Sequence, residues 1–193
     1  MPSSSLRFRL RERTASRHAA VDEAVGAFKT QSDYRRYLAG LHAFRAPFEA
    51  AIAAGPLPAD ADDWEFAPLV PLIEADMADL GLPVPAGPAV LGQVPPVATL
   101  EEVAGRLYVL EGSALGARVL VVETRALGLD ERYGARHLVA QSRGGAAFGT
   151  FAAWLDRAAL DEDAVVTAAV STFVAAERAF AAPAAIGHAD ALV

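Results

Sequence analysis

The sequence predicts an all-α protein, and three features carry that reading. Hydrophobic residues make up 53% of the 193 residues but aromatics only 8%, so Ala, Leu and Val supply the excess, a composition that favours helices over sandwiches and barrels. Apolar residues recur at three- and four-residue spacing along several segments. Helix start and stop signals sit at the ends of those segments.

A first helix is expected from Leu6 to about Phe28, capped by Ser3 to Ser5, with Leu10, Val21 and Val25 on its apolar side. A second opens at Ser32-Asp33 and carries Tyr34, Tyr37, Leu38, Leu41, Phe44 and Phe48, with Pro47 expected to kink it or end its regular part. Pro and Gly concentrate from Gly55 to Asp63 and from Gly81 to Ala98, marking connections around a short helix at Leu69 to Leu80. Thr99 with Glu102 is a capping box. It opens one long apolar-periodic helix that Gly128 stops. A loop is expected from Leu129 to Arg143, then an amphipathic helix in FGTFAAWLDRAAL and a last helix from about Asp163 to Phe180, before a frayed tail after Pro183. No linker divides the chain, so residues 1–193 are read as a single domain, flexible at both ends.

Charge narrows the functions. Seventeen Lys and Arg against 24 Asp and Glu give a net charge of -7, which repels phosphate backbones and anionic membrane surfaces. Nucleic acid is not an expected partner. The N-terminus lacks an apolar signal core, and Glu111 and Arg118 interrupt the most apolar later stretch, LYVLEGSALGARVLVVE, so neither secretion nor membrane insertion is expected. The absence of Cys excludes disulfides, thiolate metal sites and cysteine nucleophiles and fits the cytoplasm. Metal chemistry would have to use His or carboxylates.

Two constellations carry chemistry. In the first helix Arg11, Thr14, His18 and Asp22 share one face, at spacings of three, four and four. A neutral His18 there can ligate iron, with Arg11 reaching an anionic group of the ligand and Asp22 accepting the other ring N–H. An ordinary half-exposed histidine with solvated neighbours is the bland alternative. In the long helix Gly105, Gly112 and Gly116 fall on one flank, joined by Ser113 and Ala117. Each Gly costs a helix interior about 1 kcal/mol relative to Ala, so the bared backbone calls for a reason: close helix packing, or a flat ligand lying against it. His42, on a mixed helix face, His137, in the expected loop, and His188, in the tail, are read as structural or exposed. No HExxH, P-loop or GxGxxG is present, and no His has Glu three residues before it, as a di-iron carboxylate bundle would require.

LRERTASRHAAVDEAV, residues 10–25, resembles the proximal-helix motif of the haem oxygenases, and YVLEGSALGARVL, residues 108–120, resembles their glycine-rich distal helix. FGTFAAWLDRAAL and STFVAAERAF resemble the later helices of bacterial members. The resemblance implies a helical fold that holds haem between the first helix and the distal helix. It implies cleavage of haem to biliverdin, carbon monoxide and ferrous iron, with haem as both cofactor and substrate. Dioxygen and an external electron donor, a ferredoxin or flavoprotein reductase, would be needed, and the product could serve iron acquisition or a bacteriophytochrome pathway. Carried over, His18 is the axial ligand, Arg11 a propionate partner, Asp22 the acid behind the ligand, and Gly112 with Gly116 the close-approach glycines. Thr14 and Tyr108 join the haem contacts, with Arg143 and Arg157 as further candidates for the second propionate. Ser113 stands where many members have Asp, and Ala117 where many have Gly. These departures leave two alternatives to an enzyme: a haem-binding sensor or carrier without turnover, and a haem-free helical interaction protein.

Overall fold

The computed structural model describes residues 5–61, 64–85 and 94–181, the side chain of residue 115 excepted. The expected N-terminal flexibility, part of the second Pro/Gly connection, His188 and the tail lie outside the described residues. The helices are α1 Leu6–Val25, α2 Gln31–Ala53, α3 Val70–Asp79, α4 Leu100–Gly112, α5 Ala114–Ala126, α6 Arg136–Arg143, α7 Gly145–Arg157 and α8 Glu162–Ala181. Among the described residues the sole β feature is an isolated bridge between Asp130 and Gly134.

Helix α8 is the packing axis, touching α1, α2 and α4. By length and composition it could cross a membrane, with a mean hydropathy of 1.4. Its apolar residues are spent on the core, however: Val165, Ala169, Phe173 and Ala176 are buried among residues of α1, α2, α4 and α7. The closest seam is with α4. A methyl on Gly105 would come within 2.5 Å of the Val165 carbonyl oxygen and 2.8 Å of the Ala169 amide nitrogen. Gly105 therefore serves helix packing. Seven residues further along, about 10 Å at 1.5 Å per residue, α4 has left α8, and Gly112 meets the Phe148 ring of α7 instead. A second apolar cluster joins Tyr34, Tyr37, Leu38 and Leu41 of α2 to Ile73 and Met77 of α3, Ala117 and Val121 of α5, and Leu138 of α6.

The structure alters four of the expected elements. α1 stops at Val25, three residues early, because Gly26 takes the left-handed φ of 63° and its N–H bonds back to the Asp22 carbonyl. Pro47 does not end α2, which continues to Ala53; burial of Phe44, Phe48 and Ile52 offsets the missing ladder bond. The long helix is two helices meeting at Ser113. The expected loop at 129–143 contains α6.

Helix α6 shows how the fold starts a helix that lacks a local cap. Its N-cap is Ala135, which offers no side-chain acceptor. Asp76 of α3, fully buried, accepts the Arg136 and His137 amides, each at 3.0 Å. Helices α1 and α3 begin in the same way. Asp156 of α7 accepts the Arg7 amide at 3.0 Å; of the serines expected to cap α1, Ser5, the N-cap, makes no side-chain cap bond, and Ser3 and Ser4 lie outside the described residues. Glu49 of α2 accepts the Leu69 and Val70 amides at 3.2 and 3.0 Å. The Thr99–Glu102 capping box expected at α4 is present, and Thr30–Asp33 forms another at α2.

The two glycine environments separate in a stability measurement. Gly105→Ala overpacks the α4–α8 seam and should lower unfolding free energy by about 1–3 kcal/mol. Gly116→Ala, where an added Cβ meets nothing within 4 Å, should leave stability unchanged or raise it by up to about 1 kcal/mol. Urea denaturation of the two variants checks both signs.

Candidate haem-binding cleft

Of the first constellation, Arg11, His18 and Asp22 lie on the solvent-facing side of α1. Thr14 is buried and its hydroxyl donates to the Leu10 carbonyl at 2.7 Å. The His18 side chain is 55% exposed, and its Nδ1 lies 2.9 Å from Asp22 Oδ2. With Nδ1–H donating to Asp22, Nε2 keeps its lone pair. The ring leans on Phe173 of α8, with centroids 5.9 Å apart, which fixes its back against the core. Three neighbouring arginines are engaged elsewhere: Arg7 with Asp156, Arg9 with Glu162 and Asp163, and Arg17 with Glu177. Arg11 makes no such pair among the described residues and is exposed.

The α4–α5 segment carries the second motif. The half-buried Tyr108 of α4 lies near Thr14 and Arg11 of α1. Burial raises its pKa, with Thr14 and the Arg11 charge opposing that rise. Beyond the end of α1, the Phe28 amide donates to Glu123 Oε2 of α5 at 2.8 Å. α1 exposes His18 and Asp22, and the α4–α5 segment carries Gly112, the Ser113 turn and Gly116. Gly116 looks onto open space, and a Cβ on Gly112 would have only the Phe148 ring as a neighbour, at 3.7 Å. Val119, one turn beyond Gly116, is 63% exposed. α1 thus carries an exposed imidazole, and the α4–α5 segment carries backbone that is uncovered at Gly116.

Not every residue read as part of the site is accessible to a ligand. Ala117 is 2% exposed and packs in the second apolar cluster with Phe28, Leu38 and Val121. Of the three candidates for the second propionate, Tyr108 packs its ring near Phe148, with centroids 6.2 Å apart; Arg143 pairs with Glu131 at 2.7 Å, and Arg157 donates to the Asp60 carbonyl at 3.0 Å. His42 is buried, with Nε2 3.3 Å from Glu74 Oε1. His137 is fully buried on α6, its Nδ1 2.7 Å from Asp76 Oδ2. Both are held in structural contacts, although His137 is helical and not in a loop.

Sequence reasoning missed a buried polar group behind the end of α4. Arg45 and Glu49 of α2 form a buried ion pair at 2.6 Å, and Arg45 reaches the Leu110 carbonyl at 3.4 Å. Glu111, next to Gly112, is pushed up to about 7 by burial; the Arg45 charge lowers it and Glu49 raises it again. The 45/49 spacing of one helical turn was the available signal, but on a sequence it is indistinguishable from a solvated surface pair.

Comparison with known proteins bears on the whole arrangement. The fold is that of the haem oxygenases: the solved NO- and CO-bound haem oxygenase of Neisseria meningitidis superimposes with a TM-score of 0.74 over 95% of this chain and 96% of that one, at 22% identity. In sequence the chain is 47% identical over 91 residues to haem oxygenase PigA of Pseudomonas aeruginosa, 46% of this chain and 44% of that protein. It is 34% identical over 100 residues to a haem oxygenase of Xanthomonas campestris, 51% of this chain and 57% of that protein. The chain thus matches about half the length of these curated relatives. No family model matches it. The haem oxygenase resemblance read from the two helical motifs is borne out in both sequence and fold.

Glu111 gives a pH test. Its folded-state pKa of about 7 lies above the ordinary value of 4.5, so the folded state holds the proton more tightly than the unfolded chain. Its contribution to stability is therefore present at acid pH and is lost as pH rises from about 4.5 to about 7. Glu111→Gln, which cannot ionise, should gain stability relative to the parent across that interval. Denaturation of both proteins at the two ends of the interval should show the difference widening towards neutral pH; a constant difference would contradict the raised pKa.

Proposed function

We propose that the chain binds haem in the gap between α1 and the α4–α5 segment, with His18 as iron ligand, and oxidatively opens the ring to biliverdin, carbon monoxide and ferrous iron. One observation carries the reading. The exposed His18, with Asp22 on its Nδ1, and the uncovered Gly116, with Gly112 beside only the Phe148 ring, belong to two motifs some ninety residues apart in the sequence, and this reading sets them as opposite walls of one cleft. A flat, largely apolar ligand with a coordinating metal and an anionic edge fits those walls: imidazole for the metal, Arg11 for the edge, open backbone for the second face.

Haem, when bound, supplies the redox-active iron that activates dioxygen and also the porphyrin carbon that is oxidised. The protein's part is to hold and shape. Asp22 fixes the His18 tautomer and strengthens the imidazole as a ligand by accepting its Nδ1 proton. Phe173 restrains the ring from behind. Arg11 attracts a propionate, and Tyr108 offers a second polar contact. Gly112 and Gly116 keep the distal side open to dioxygen while the Phe148 ring bounds it. Electrons come from an external donor, a ferredoxin or flavoprotein reductase, in a reducing cytoplasm; iron acquisition and chromophore supply to a bacteriophytochrome are both roles for such an activity.

A non-catalytic haem carrier or sensor is the second reading, favoured by Ser113. Its hydroxyl proton is committed to the Leu110 carbonyl and is not offered to the gap. Reduction of the hemin complex in air with catalase present separates the two: an enzyme loses its Soret band and gains broad red absorption, and a carrier keeps the band.

His18→Ala should abolish the axial-imidazole spectrum of the hemin complex, and added imidazole should restore it. An unchanged spectrum in the variant would remove His18 from the site. Arg11→Ala should weaken hemin only several-fold, because an exposed ion pair is worth about 0.2–1 kcal/mol; hemin titration at low and high salt checks this.

A further inference from the structure

The turn at Ser113 is held from two sides by helices that contribute nothing else to the cleft. From α2, Arg45 reaches the Leu110 carbonyl at 3.4 Å, and Arg45 is itself locked by its buried pair with Glu49. From α6, Gln141, 8% exposed, donates through Nε2 to Ser113 Oγ. The Ser113 hydroxyl passes the chain on, donating to the same Leu110 carbonyl. Leu110 O is thus claimed by two side-chain donors at the point where one helix becomes two. The neighbouring contact runs the same way, with Arg118 Nε of α5 donating to the Ser142 carbonyl at 3.3 Å.

We propose that Gln141 is a positioning residue for the distal wall: through Ser113 Oγ it holds the α4–α5 turn against the Leu110 carbonyl, so that α6 sets how far Gly112 and Gly116 stand from His18. The anchoring is unequal. Arg45 sits in a rigid, fully buried pair, whereas Gln141 is a neutral side chain whose hold on Ser113 is a single hydrogen bond. Gln141 is therefore the adjustable side of the clamp. An Ala or Gly at 113 would leave Gln141 Nε2 buried without an acceptor, so a hydroxyl at this position is required by the clamp. The proposal rests on the reading that this turn faces haem, but its physical core, the hold of α6 on the turn, does not.

The test uses Gln141→Leu, with Gln141→Met in its place if the first fails to fold, alongside Ser113→Ala and the double variant. Amide hydrogen exchange in the haem-free protein should accelerate at residues 112–117 by about threefold to tenfold, the change expected for one lost hydrogen bond, with α1 and α8 unchanged. Ser113→Ala should do the same, and the double variant should be no worse than either single variant, because both remove one link. With hemin, the His18-dependent Soret band should form at near-parental affinity while the C–O stretching frequency of the reduced carbon monoxide complex shifts and ring opening slows. Exchange at 112–117 that matches the parent, or that rises equally throughout the protein, overturns the proposal. If the parent protein binds hemin without opening it, the enzymatic reading fails, and the exchange result still decides the clamp.

Discussion

The buried ion pair between Arg45 and Glu49 is the constraint on which the rest of the structure leans. Charges this deep lose several kcal/mol of hydration each, and a pair is tolerated only when geometry and further hydrogen bonds satisfy both members. Here those bonds organise the surroundings. Glu49 accepts the first amides of α3, and Arg45 turns to the Leu110 carbonyl at the end of α4. One turn of α2 thereby starts one helix and helps end another. Removing either partner would leave its mate charged and buried, so the position of α3 and of the α4–α5 turn is tied to the core of α2.

The same device recurs, and it explains which parts of the fold were legible in the sequence. Helices α2 and α4 start with their own capping boxes, and the Thr99–Glu102 box could be read directly. Helix α6 has Ala135 at its N-cap and takes its acceptor from Asp76, sixty residues away in the chain. No local signal announces that arrangement, so the segment reads as a loop. The end of α1 is less legible for a smaller reason: Gly26 offers a stop, but Phe28, three residues after Val25, continues the apolar pattern beyond it.

The candidate site was legible in its residues and less so in its geometry. The spacing of Arg11, Thr14, His18 and Asp22 set them on one helix face, and the structure gives that face an open side with Asp22 on His18 Nδ1. The three glycines looked equivalent because they share a flank of one expected helix. They are not equivalent, because the neighbour changes along the axis: Gly105 is pressed against the α8 backbone, Gly112 meets an aromatic ring, and Gly116 is uncovered. The helix also breaks at Ser113, directly after Gly112, where side chains from α2 and α6 meet the turn. Ala117 then turns into the core.

The central claim is that α1 and the α4–α5 segment are two walls of one haem site, and the most direct measurement is backbone NMR of the protein loaded with paramagnetic ferric hemin against the same protein loaded with diamagnetic gallium protoporphyrin. The account predicts paramagnetic broadening in two stretches, around His18 on α1 and from Gly112 to Gly116, with the α6 amides beyond Gln141 little affected. Broadening confined to one wall, or centred on His42 or His137, would contradict it.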